Sequence, residues 1–224
     1  MSETAVIPKH PAKFSDSILE ALASVLADEL RVKGHELEIL DPMAGSGRIH
    51  ELRTDTINTF GVELEQEWAD QHPDTFQGDA TNLWYQDCSF DAVITSPAYG
   101  NRMADHHNAR DGSDRMTYKH KLGRDLSPNS GAGLQWGGAY RELHERILGE
   151  MIRVTKPGGL IVVNVSNHIR KRVEEPVSEW WLGRMVIRGL RVVSVIPVET
   201  PRMGFGQNAD ARTECEWVFV TRKP

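Results

Sequence analysis

The chain has 224 residues, 39% of them hydrophobic and 26% charged, with a formal net charge of −6. That balance suits one globular domain with a substantial core and excludes a disordered or fibrous class. The longest apolar run, Leu160-Ile161-Val162-Val163, is far short of the ~20 residues that cross a bilayer as a helix, so no membrane partner is expected.

At the N-terminus, MSETAVIPKHPAKF has no signal-like hydrophobic stretch, which makes the cytoplasm the expected location. Ser17 with Glu20 fits a capping box, and Ile18, Leu22, Val25 and Leu26 keep one helical face up to Gly34. Leu37 to Asp41 reads as a short strand that breaks at Pro42. Met43-Ala44-Gly45-Ser46-Gly47 follows, then a short helix from about Arg48. Thr59 to Glu63 is a second strand, trailed by the helix EQEWADQH. Thr75-Phe76-Gln77 leading into Gly78-Asp79 is a third strand, and Phe90 to Thr95 a fourth. Residues 98–138 carry no sustained period and are rich in Gly, Asn, Asp and His; a stretch this long in a compact domain is usually functional or mobile. A helix through Tyr140, Leu143, Ile147, Leu148 and Met151 closes at Pro157-Gly158-Gly159. Leu160 to Val165 is a fifth strand, and Pro176 starts a helix carrying Trp180, Trp181 and Met185. Arg191 to Val198 and Glu216 to Thr221 read as a final antiparallel pair. Strands alternating with helices predict an α/β fold with a doubly wound sheet, in a single domain over 1–224 with a long insertion at about 98–138.

Four strands end in chemically distinctive residues. Gly45 and Gly47 allow close approach of a ligand to the backbone at a helix N-terminus. A dinucleotide fingerprint needs a third glycine three residues after Gly47, where His50 stands, and no Gly-Lys-Ser/Thr of a P-loop follows. Glu63 comes about 20 residues after the first turn, where a carboxylate can accept both hydroxyls of a ribose. Asp79 ends the third strand, placed either to accept from an adenine amino group or to cap a helix. After the fourth strand comes ITSPAYGNR. Pro97 has no N–H for a strand interior, and Gly100 permits a turn, so Ser96 and Tyr99 are held on a stiff loop at the sheet's carboxyl edge.

These residues together resemble the S-adenosylmethionine-dependent amino methyltransferases that act on nucleic acid. DPMAGSG resembles their first motif, GVELE the second, GDAT the third, and TSPAY their catalytic (Asp/Asn/Ser)-Pro-Pro-(Tyr/Phe/Trp) motif. HPAKF at 10–14 resembles their N-terminal cofactor motif, and KPGGLIVV their next strand. The resemblance covers most of residues 9–165. Ala98 replaces the family's second proline, and Phe14 replaces the proline of the N-terminal motif. What the resemblance implies is a Rossmann-like, mostly parallel seven-stranded sheet with a C-terminal antiparallel hairpin. It further implies a cofactor site at Lys13, Phe14, Asp41, Pro42, Met43, Ala44, Gly45, Gly47, Glu63, Leu64, Asp79, Ala80 and Ser96, with Ser96, Pro97 and Tyr99 catalytic. Ser in the first catalytic position is typical of the branch that methylates cytosine N4 in DNA, with adenine N6 the second choice.

The chemistry needs such residues. An exocyclic amine is a poor nucleophile because its lone pair is delocalised into the ring. Acceptors at Ser96 Oγ and the Pro97 carbonyl would orient the amine toward a sulfonium methyl, and Tyr99 would offer a stacking face for a base flipped from DNA. Methylation at pyrimidine carbon 5 is excluded, since neither Cys88 (QDCSF) nor Cys215 (TECEW) lies beside a proline. The two cysteines also lack metal-ligand or disulfide spacing, so no metal is expected.

The charge is uneven. Residues 1–100 hold 6 Lys/Arg against 18 Asp/Glu, and residues 101–224 hold 20 against 14. Arg102, Arg110, Arg115, Lys119, Lys121 and Arg124 form a basic stretch suited to phosphates, with His106, His107 and His120 among them; Arg202 to Asn208 is a second candidate for reading sequence. The expected partner is DNA, with the protein a monomer or homodimer. Other readings stay open: methylation of RNA or of a protein glutamine, or a regulatory subunit that keeps the fold without catalysis.

Overall fold

A computed structural model of the chain describes residues 10–11, 13–100, 118–170, 172–199 and 215–224. The first helix, α1 (Asp16–Lys33), buries Ile18, Leu22, Val25 and Leu26, as their spacing requires. Its cap is Ser15 rather than the expected Ser17: Ser15 Oγ accepts from the Ile18 N–H at 3.3 Å. Asp16 therefore occupies the first turn, where a negative charge faces the helix dipole. Gly34 closes the helix at φ 67°, its N–H donating to Leu30 O, the left-handed ending that glycine adopts without strain.

The strands β1 (Leu37–Asp41), β2 (Ile57–Glu63), β3 (Thr75–Gln77) and β4 (Phe90–Thr95) follow, with the one-turn helix α2 (Gln66–Ala69) between β2 and β3. The expected helix EQEWADQH shrinks to this turn, and its last residue, His72, precedes Pro73, which disfavours helical backbone there. After β4, the described residues resume with α3 (Tyr118–Leu122), then α4 (Gly138–Val154), β5 (Thr155–Val165), the small hairpin β6 (His168–Arg170) and β7 (Val173–Glu175), α5 (Val177–Ile187), β8 (Arg191–Glu199) and β9 (Cys215–Arg222). The hairpin was not foreseen. It is anchored by Asn167, whose Nδ2 donates to Glu174 of β7 at 2.8 Å and whose Oδ1 accepts from Ser178 N and Oγ in the first turn of α5, both at 2.8 Å.

Seven strands form one sheet in the order β3-β2-β1-β4-β5-β9-β8. The pairs from β3 to β5 are parallel, and β9 runs antiparallel to both β5 and β8. The architecture is the expected mostly parallel, doubly wound sheet with a C-terminal antiparallel hairpin. Alternation along the strands divides the core into two layers. Ile39, Ile94, Val162 and Val218 face α1, whereas Leu40, Val93, Ile161 and Phe219 face the side covered by α4 and α5. Among the described residues, no helix is long and apolar enough to cross a membrane.

Candidate active site

The carboxyl ends of β1, β2 and β4 open into one cavity of about 490 Å³, within the usual size range of small-molecule sites and where open α/β sheets hold ligands. Lys13 and Phe14 line it from the N-terminal segment, Asp41 to Gly45 from the first turn, Glu63 and Leu64 from the end of β2, Asp79 and Ala80 after β3, and Ser96, Pro97 and Tyr99 after β4. Gly47 is not part of the lining. It starts the short helix at φ 81°, and a Cβ there would lie 2.9 Å from the Cβ of His72, away from the cavity. Arg48 ties the N-terminal segment down by donating to Phe14 O and, at 2.8 Å, to Asp16.

Two buried carboxyls dominate one half. Glu63 accepts from Gly45 N at 2.9 Å and Glu65 N at 3.0 Å; burial nevertheless pushes its pKa up to about 7. Asp41 is pushed up to about 7 by burial against the pull of the Met43 N–H, with the neighbouring Glu63 adding to the rise. Asp79 behaves otherwise. Burial raises it, but Thr81 N on Oδ1 and Asn129 Nδ2 on Oδ2 hold it below the ordinary carboxylate value. Asp79 thus caps a turn with one oxygen while lining the cavity. A carboxyl with a raised folded pKa stabilises the fold at low pH, and that stability is lost as pH rises from its unfolded value through the folded one. Glu63→Gln should therefore gain about 2 kcal/mol relative to wild type between pH 5.5 and 8. Denaturant unfolding of both proteins at the two pH values measures this, and a constant difference would refute it.

The other half is built on the loop after β4. Ser96 Oγ lies 3.2 Å from Tyr99 Oη, and Tyr99 donates to Glu216 Oε2 at 2.8 Å. Asn164 Nδ2 donates to Ser96 Oγ (3.3 Å), Tyr99 Oη (3.2 Å) and Glu216 Oε2 (2.9 Å). Neither Asn164 nor Glu216 was named from sequence as a site residue. Their signal was a polar residue inside an apolar strand, LIVVNV and TECEWVFV. Ala98 lacks the stiffness of a proline, yet its carbonyl accepts from Tyr140 Oη at 2.7 Å, and Gly100 O accepts from Trp136 N at 2.7 Å. The loop is braced from α4 and its approach instead. Tyr140 is fully buried, and Trp136 is half-buried against the core; both anchor the loop.

Sequence reasoning also missed an aromatic wall. His10 stands edge-on to Trp68 (4.4 Å between centroids) and to Tyr118 (5.1 Å), and all three line the cavity. A Cβ on Gly45 would lie 3.0 Å from the His10 ring, so glycine keeps that wall close to the turn. Of the basic candidates, Arg102, Arg110 and Arg115 lie outside the described residues, as do His106, His107 and Arg202 to Asn208. Lys119 donates to Asp125 at 2.7 Å, and Lys121 is half-buried on α3. Arg124 pairs with Glu65 at 2.8 Å and also with Glu67, so its charge is met within the chain. Among the described residues, no cluster of His, Cys, Asp and Glu is arranged to hold a metal ion.

No protein-family model matches the chain, and no curated protein matches it in sequence. Solved structures do match in shape. An S-adenosylmethionine-dependent methyltransferase from Methanosarcina mazei aligns with a TM-score of 0.57 at 14% identity, over 89% of this chain and 96% of the other. A putative sarcosine dimethylglycine methyltransferase from Galdieria sulphuraria gives 0.56 at 14%, over 96% and 91%. The fold is that of S-adenosylmethionine-dependent methyltransferases. The cyclase SpnF also matches, at 0.56 and 14% over 96% and 84%, so this methyltransferase fold does not by itself fix the chemistry. The residues of the cavity have to argue it.

Proposed function

We propose that this protein transfers a methyl group from S-adenosylmethionine to an exocyclic amino group of a base in DNA, cytosine N4 in preference to adenine N6. The observation that carries the reading is the convergence of Ser96 and Tyr99 with Glu63 and Asp79 on one cavity. The donor set fits the cofactor: Glu63 suits ribose hydroxyls, Asp79 an adenine amine, Asp41 the ammonium and Lys13 the carboxylate of an amino-acid end. When bound, S-adenosylmethionine supplies an electrophilic methyl group on a cationic sulfonium. Asp41, Glu63, Glu65, Asp79 and Glu216 give the lining an acidic bias against Lys13 and Arg48, which favours a cationic ligand.

The chain's own residues then have a defined task. Ser96 Oγ and the Pro97 carbonyl accept from the amine hydrogens and hold the nitrogen in an attacking orientation. The Tyr99 ring offers a face to a flipped base. Ser96 in the first position of the catalytic motif supports cytosine N4 through the family resemblance.

The test is to incubate the protein with methyl-labelled S-adenosylmethionine and unmethylated DNA, digest the DNA, and identify the modified nucleoside. N4-methylcytidine or N6-methyladenosine in its deoxy form is the expected product. Label found only in RNA or protein offered in parallel would move the substrate to that class.

A further inference from the structure

Methyl transfer to a neutral amine leaves a proton to be removed, and neither Ser96 nor Tyr99 is suited to take it. Their hydroxyls are neutral and already share hydrogen bonds with each other and with Asn164. Glu216 is a carboxylate that reaches this cluster and lines the same cavity. It arrives from β9, the strand antiparallel to β5, whose Asn164 donates to it. Both donors, Tyr99 Oη and Asn164 Nδ2, go to Oε2. Oε1 accepts from none of the described residues. The orientation of the Asn164 amide follows from this partner: a carboxylate only accepts, so the amide turns its NH₂ toward it.

The remaining acidic residues of the cavity accept from other groups. Asp41 accepts from Met43 N, Glu63 from Gly45 and Glu65, Glu65 from Ser127, and Asp79 from Thr81 and Asn129.

We propose that Glu216 accepts the proton released from the substrate amine, with Asn164 and Tyr99 fixing its carboxylate; this rests on the methyl-transfer reading above. The nitrogen lone pair forms the bond to the methyl carbon as the carbon–sulfur bond breaks and its pair goes to sulfur. The N–H bond then breaks, its electron pair returns to nitrogen, and the proton passes to Oε1 of Glu216 and onward to solvent.

Glu216→Gln tests the role, because glutamine keeps the shape and an oxygen that accepts from Tyr99 but is not a base. Single-turnover transfer to unmethylated genomic DNA should fall about 100-fold or more, the usual scale for a lost general base. Calorimetric affinity for S-adenosylhomocysteine and the melting temperature should stay at wild-type values. Glu216→Ala should fall similarly and regain rate on addition of formate, a response that a structural role does not give. Wild-type turnover in Glu216→Gln, or a loss that tracks weakened cofactor binding, would overturn the assignment. A wild-type protein that binds the cofactor yet methylates no nucleic acid would overturn the underlying reading, and the role of Glu216 with it.

Discussion

Ser96→Ala and Tyr99→Ala are both expected to lose methyl transfer to DNA while keeping their affinity for S-adenosylmethionine. Ser96→Ala removes one acceptor for the amine but leaves the Pro97 carbonyl. Tyr99→Ala should cost more. It removes a stacking face worth on the order of 1–3 kcal/mol per base, and it removes the hydroxyl that donates to Glu216 at 2.8 Å. Tyr99→Phe keeps the face and loses the hydroxyl with its hydrogen bonds to Glu216, Ser96 and Asn164, so its rate should fall between wild type and Tyr99→Ala. Because the four polar side chains share hydrogen bonds, the double variant should lose less than the sum of the two single losses. Single-turnover rates on the four proteins decide this. Unchanged rates in both alanine variants would mean that the loop only ends a strand.

Trp181→Ala should produce the largest loss of stability, about 3–5 kcal/mol for a large side chain removed from a packed core. Trp181 has no exposed surface, and its Nε1–H donates to Tyr140 Oη at 3.2 Å. That hydroxyl in turn donates to the Ala98 carbonyl at 2.7 Å. The change therefore reaches the catalytic loop through one intermediate side chain. Tyr140→Phe provides the contrast, removing the hydrogen bonds while sparing most of the packing, and should cost about 1–2 kcal/mol. Urea unfolding of the two variants measures both effects; a Trp181→Ala cost below that of Tyr140→Phe would contradict the packing account.

Much of this was legible in the sequence, because short β-rich runs bounded by Pro, Gly and Asp fix where strands stop. Leu37 to Asp41 and Phe90 to Thr95 run as expected, while the third strand starts at Thr75 as expected but stops at Gln77, short of Asp79. Local motifs also predicted which residues would meet, since Asp41, Glu63, Asp79 and Ser96 all end or follow parallel strands whose carboxyl ends share one edge. What local pattern could not supply was pairing across the chain. Glu216 reaches Tyr99 only because β9 inserts beside β5, 52 residues beyond Asn164. His10, Trp68 and Tyr118 come from three separated segments and meet only in the folded cavity. Ser15 and Ser17 both satisfy the composition of a cap, and geometry alone separates them. Gly47 fits a glycine turn in sequence, yet a Cβ on it would meet His72, and neither residue lines the cavity.

The central claim is that the cavity at the strand ends binds S-adenosylmethionine with Glu63 as a principal partner. Calorimetric titration of the cofactor into wild type and Glu63→Ala tests it most directly. The account predicts one-site binding to wild type and a weakening of about 1–3 kcal/mol in the variant, roughly 5- to 150-fold in Kd, in a protein whose thermal unfolding remains cooperative. Equal affinity in a folded Glu63→Ala protein, or no binding by wild type, would contradict it.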